Sequence, residues 1–172
     1  MALVVEDGTG KVDAESYDSV AGISATLAKT GEDAAWLALA SETIREQVAR
    51  KATRVLDSEY RFRGVKGTAG QALEWPRLDA RDDDGYAYES NAVPTRLKQA
   101  LAQLCAAGSV TGADLQPDQT TPGTVESESI SIAGVISESI TYQGGKSQSV
   151  FYRKAEGLLS ELIETAGILE RA

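Results

Sequence analysis

The 172-residue chain carries a formal net charge of −9, a 42% apolar content that leans on alanine, no histidine and one cysteine. That length fits one domain, or one domain with appendages, and the charge argues against a protein held to nucleic acid through phosphate contacts, which needs a clustered basic surface. A single cysteine rules out an internal disulfide and fits a reducing compartment. No apolar run approaches a membrane span, and the start lacks a basic region followed by an apolar one.

Leu3, Val4 and Val5 make a short apolar start suited to an edge strand, and Glu6-Asp7-Gly8-Thr9-Gly10 is turn chemistry. Ser19 is a good N-cap for a first helix running to about Lys29, with Val20, Ile23 and Leu27 on one face and Gly31 as its stop. Ala34–Ala40 reads as an apolar link with Trp36 and Leu37 buried. Ser41 caps a second helix, whose Ile44, Val48, Ala52, Val55, Leu56 and Tyr60 recur at helical spacing. Arg45, Arg50, Lys51 and Arg54 lie off that stripe, solvated or at an interface.

The second helix runs into YRFRGVKGTAGQALEWPR, residues 60–77: an aromatic and basic cluster, a loop punctuated by Gly64, Gly67 and Gly70, and Trp75-Pro76-Arg77. This pattern predicts a helix end, a tight reversal and a bulky anchor brought back onto the helix, with Tyr60, Trp75 and Pro76 as the structural anchor. Pro76 disfavours the α region for Trp75, so the chain should be extended there. Tyr60, Arg61, Phe62 and Arg63 could instead stack on a single strand, since aromatic faces plus arginine suit it. A protein interface explains Arg61, Phe62, Arg63 and Arg77 at least as well.

Residues 79–90 are an acidic loop bearing two tyrosines. A third helix starts near Pro94, with Val93, Leu97, Leu101, Leu104 and Cys105 on its apolar face and Gly108 as its stop. Cys105 is then a buried small hydrophobe rather than a nucleophile. Residues 109–124 read as a linker. Residues 125–142 alternate, with Ile130, Ile132, Ile136, Ile140 and Tyr142 on one face of a hairpin turning at Ala133-Gly134. A last helix is expected over about 150–165, weakened by Gly157. The first three helices carry enough leucine, valine and tryptophan to make a core without it. The reading is a mainly α fold, a bundle of about four helices with a protruding β-hairpin and a C-terminal arm. It divides into a helical core (1–108), a linker (109–124) and a hairpin with its following helix (125–172).

Two chemical motifs fail on spacing. Asp82-Asp83-Asp84-Gly85 resembles a calcium loop, but position 80 is alanine and the closing glutamate is replaced by Asn91. Gly8-Thr9-Gly10-Lys11 resembles part of a phosphate loop, but position 5 is valine and Lys11 is followed by Val12. No carboxylates converge and no zinc set exists, so neither catalysis, a metal nor a cofactor is expected.

The order YRFRG, QAL, WPR resembles the small head–tail adaptor (head-completion or neck) proteins of long-tailed bacteriophages. So do the opening VEDG with its following Ser16-Tyr17, the Val93-Pro94 helix start after an acidic loop, and the Ser-Glu-rich strand ending in Tyr142. That family also carries the label of a primosomal-type single-stranded-DNA-binding protein, the alternative function. The resemblance implies a structural virion protein of the neck, assembled in the host cytoplasm. Twelve subunits would form a ring under the portal protein, extend the DNA channel and dock the next neck or tail protein. DNA would pass an acidic wall without tight binding, and no membrane would be involved. The hairpin and C-terminal segment are expected to meet the portal or neighbouring subunits.

Overall fold

Helix starts and stops follow local chemistry. In the computed structural model, which describes residues 2–110, 115, 127–132, 136–141 and 152–164, Ser19 opens α1 (Val20–Thr30) by accepting from the Gly22 N–H. Gly31 closes it in the left-handed conformation that a side chain disfavours. The expected link at 34–40 contains a one-turn helix, α2 (Ala34–Leu37). Trp36 is fully buried and its indole N–H donates to Ser24 Oγ (2.8 Å), whereas Leu37 is 51% exposed, contrary to expectation. A four-residue helix turns only one side inward, and Trp36 takes it.

Ser41 caps α3 (Glu42–Glu59) through the Ile44 N–H. Its buried stripe is Ala49, Ala52, Thr53, Val55 and Leu56, so it begins later than the apolar spacing suggests and leaves Ile44 exposed. Two alanines on that stripe present no bulk beyond Cβ, and α4 and α1 pack against the helix. Arg45 is half-buried rather than free: its guanidinium donates to the carbonyls of Trp36, Leu37 and Leu39 around the end of α2.

The central element is α4 (Thr95–Gly108), preceded by Pro94 and packed against α1, α2, α3 and α5. Leu97, Ala100, Leu101, Ala102, Leu104 and Cys105 are all fully buried, a broader face than a surface helix presents. The last helix, α5 (Arg153–Leu159), is shorter than expected, and the chain turns after it so that 162–164 can run beside 61–63. Ala155, Leu159 and Leu162 belong to the same core as α1, α3 and α4, so the first three long helices do not close that core alone.

Two short antiparallel pairs complete the fold. β1 (Val65–Lys66) pairs with β2 (Arg77–Leu78), Val65 opposite Leu78. β3 (Ser127–Ile132) pairs with β4 (Ile136–Thr141). Their register sets Ile132 opposite Ile136, Ile130 opposite Glu138 and Glu128 opposite Ile140, while Ser and Thr positions oppose only one another. Tyr142, the Ala133-Gly134 reversal and most of the expected linker lie outside the described residues. The fold is thus mainly helical, about four packed helices with an antiparallel hairpin. The chain divides into two compact units, Met1–Leu115 with Tyr152–Ala172, and Gln116–Phe151. The last helix therefore goes with the helical core and not with the hairpin, because its apolar side packs on α4. Among the described residues no helix is long and apolar enough to cross a membrane.

Candidate functional site at the Tyr60–Leu78 corner

Tyr60 ends α3 in an extended conformation and is half-buried. The next three residues run antiparallel to the C-terminal segment, with Phe62 opposite Ile163. The Arg63 N–H donates to the Leu162 carbonyl (2.9 Å) and the Glu164 N–H to the Arg61 carbonyl (2.8 Å). Gly64 then turns the chain at φ 78°, and a Cβ there would lie 2.3 Å from the Leu78 carbonyl oxygen. Only glycine permits that approach.

The loop back is tied by one side chain. Gln71, buried, accepts from the Thr68 N–H (2.9 Å) and donates to the carbonyls of Leu73 (2.8 Å) and Pro76 (3.0 Å). The Trp75–Pro76 peptide is cis. Trp75 is fully buried, edge-on to Phe62 (centroids 6.2 Å apart, 79°) and to Tyr88 (5.9 Å, 88°). Pro76 is buried beside it.

The arginines face the corner's own backbone. Arg77, 8% exposed, donates to the carbonyls of Arg63 (2.8 Å), Gly64 (2.7 Å) and Glu74 (3.3 Å), and pairs with the Glu74 carboxylate (2.8 Å). Arg63 donates to the carbonyls of Ile163 (2.9 Å) and Arg81 (3.3 Å) and pairs with Asp83 (2.7 Å). Of the four residues offered for an interface here, Phe62 is in the core and Arg77 is buried, so neither presents a surface. Arg63 is half-buried and bonded on three sides. Arg61 alone is open, its side chain 87% exposed beside Glu164. The physical reason is that a tight reversal strands several carbonyls, and guanidinium groups supply donors in a fixed fork.

Beneath the corner lies a junction the sequence did not disclose. Tyr17, fully buried, donates its hydroxyl to Asp57 on α3 and accepts from the N–H groups of Glu74 (3.0 Å) and Trp75 (3.3 Å). The other Asp57 oxygen lies 3.3 Å from the Glu74 nitrogen. Burial pushes the Asp57 carboxyl up to about 6, against the hydrogen bonds that favour its ionised form, and burial also raises the Tyr17 hydroxyl. The only available sign was an acid directly following the apolar pair Val55-Leu56.

Both motif fragments fold onto themselves. The N–H groups of Gly8, Gly10 and Lys11, a ready anion cradle, all donate to the buried Glu6 carboxylate (2.8–2.9 Å), so the chain's own acid occupies it. Asp82 accepts from the N–H groups of Asp84 (3.1 Å) and Tyr86 (2.8 Å), closing the acidic turn that brings Tyr88 to Trp75. Burial raises the Cys105 thiol. Among the described residues no group of three or more His, Cys, Asp or Glu side chains is placed to hold a metal ion.

Cationic surface remains on α3, where Lys51 and Arg54, one turn apart, are both exposed and form no ion pair among the described residues. Arg50 beside them bridges Glu15 (3.0 Å) and Glu46 (3.5 Å). Exposed apolar groups include Val12, Val65, Leu78 and Tyr86. No curated protein and no solved structure matches the chain. A family model does match it, over residues 1–172, and the chain belongs to the family described as "Putative DnaT-like ssDNA binding protein".

Proposed function

We propose that the protein is a structural assembly subunit, the head–tail adaptor that its sequence resembles. It would form a ring, twelve-fold by that resemblance, beneath a portal protein, extend the DNA channel and dock the next neck or tail protein. The observation that carries this reading is the use made of the corner. Phe62, Trp75 and Tyr88 pack on one another, and Arg63 and Arg77, two of the corner's three arginines, bind backbone carbonyls, so most of the groups a single strand would stack on or pair with are engaged within the chain. With a net charge of −9, the remaining surface suits DNA that slides past rather than DNA that is held. Function is then geometric: a rigid subunit whose head-to-tail contact closes when its rotation divides the circle.

A second reading, single-stranded-DNA binding, takes its support from the family's description and from Lys51 and Arg54 on the outer side of α3. The two readings separate in one experiment. The adaptor reading expects co-assembly with a portal protein into particles with a defined neck density. It expects oligonucleotide binding no tighter than roughly 10⁻⁴ M near 150 mM salt, the non-specific range. Sub-micromolar binding that falls steeply with salt and is lost in the Lys51→Glu/Arg54→Glu variant would replace it with the second reading.

A further inference from the structure

We propose that Tyr152–Glu164 is an exchangeable strap, able to leave its own groove and fill the equivalent groove of a second copy of this chain. The strap returns to the helical unit after the chain has passed through Gln116–Phe151, a compact unit of its own and the strap's only covalent tie to the rest of its site. Everything else that holds it is non-covalent and local. Ala155, Leu159 and Leu162 are buried, and two backbone hydrogen bonds join 162–164 to 61–63. Arg63 caps the Ile163 carbonyl, and the Tyr152 hydroxyl donates to the Leu115 carbonyl (2.9 Å). The charges match across the seam: Lys154 with Glu32, Glu161 with Arg96 (2.8 Å) and Glu164 with Arg61 (3.5 Å).

The strap cannot stand alone. Its helix has seven residues with Gly157 inside it, far below the length at which an isolated helix persists. Once it leaves, residues 61–63 present an unpaired edge, which pairs readily with another strand. A freed strap and an emptied groove on neighbouring copies therefore complete one another with the same contacts, the usual low-cost route to exchange. Given head to tail, such exchange links each subunit to the next. The inference rests on the strap's geometry and does not require the adaptor reading, which portal co-assembly tests separately.

Residues 61 and 164 flank the Phe62–Ile163 pair and face one another across it, a spacing of about 5.5 Å between Cα atoms for such positions, within disulfide range. Both side chains are exposed, and the native Cys105 is fully buried. Three full-length variants are made: Arg61→Cys, Glu164→Cys and the double variant. The double variant, oxidised when dilute, should close within one chain; failure to close would overturn the strand pairing and the proposal with it. Equal amounts of the two single variants are then incubated together and oxidised. Exchange predicts a covalent dimer containing one chain of each, severalfold above the dimer that either variant gives alone, and rising with concentration. A mixture giving no more than that background, while the double variant closes, would overturn the proposal.

Discussion

Replacing Trp75 by alanine removes the centre of an aromatic stack, and its cost can be worked from the contacts. The side chain is fully buried, so its loss carries the transfer and cavity terms of a large aromatic, about 3–5 kcal/mol. Both ring neighbours, Phe62 and Tyr88, lose an edge-on partner, and such pairs contribute about 0.5–1.5 kcal/mol each beyond area, which places the expected loss in the upper half of that range. One feature acts the other way. The Trp75 indole nitrogen is buried with no hydrogen-bond partner among the described residues, so part of the ring's burial is offset by desolvation of its N–H. Trp75→Phe should therefore cost much less than Trp75→Ala. Trp36 provides the contrast: its N–H is bonded to Ser24, so Trp36→Phe gives up about 1 kcal/mol of hydrogen bonding that Trp75→Phe does not. Equilibrium unfolding in urea on all four proteins, wild type and the three variants, gives the comparison. A Trp75→Ala protein within about 1 kcal/mol of wild type, well below the cavity range, would refute the anchor. So would a fully stable variant that no longer assembles.

Two further predictions concern the corner. The folded Asp57 carboxyl, at about 6 against an ordinary 3.8, binds its proton more tightly than the unfolded chain does. Its contribution is therefore greatest below pH 4 and declines as pH rises towards 6, by up to roughly 3 kcal/mol at 1.36 kcal/mol per pK unit. The stability difference between wild type and Asp57→Asn, followed from pH 4 to 7, should fall accordingly, and a flat difference would show that Asp57 titrates normally. Gly64→Ala should cost more than Gly31→Ala. Both glycines sit at positive φ, worth about 1–2 kcal/mol, but a Cβ at Gly64 also strikes the Leu78 backbone while nothing lies within 4 Å at Gly31. Thermal unfolding of the two variants measures this, and equal losses would mean that the β1–β2 approach is loose.

How much of this the sequence disclosed depends on the range of the interaction. Ser19, Gly31 and Ser41 act within four residues of themselves, so their capping roles could be read directly from local chemistry. The apolar face of α4 was equally plain, because its period is internal to the helix. The failures are long-range. Leu37 and Ile44 look core-like at their spacing, but which turn of a helix meets a neighbour is decided by the neighbour. Arg63 and Arg77 look like surface cations because nothing local reveals that a reversal will strand carbonyls beside them. The Tyr17–Asp57 bond joins residues forty apart, and no periodicity encodes such a pair.

The same distinction bears on what this corner is for. Four segments distant in sequence end there: Tyr17 from the start, Asp57 from α3, Tyr88 from the acidic turn, and Leu162–Glu164 from the strap. Each is held by a different kind of contact: a hydroxyl, a carboxylate, a ring edge, and a strand with an arginine across its carbonyl. A surface selected to bind a flexible ligand would leave such groups open; here they are turned on the chain itself. Groups turned inward in this way hold the corner's own backbone in place. The open side chains lie elsewhere. Arg61 and the exposed Val65–Leu78 pair on the corner, and Lys51 and Arg54 on α3, can change without entering the core. Substitutions there should alter association while leaving the unfolding midpoint near wild type, whereas substitutions at Arg63, Trp75 and Arg77 should move both together.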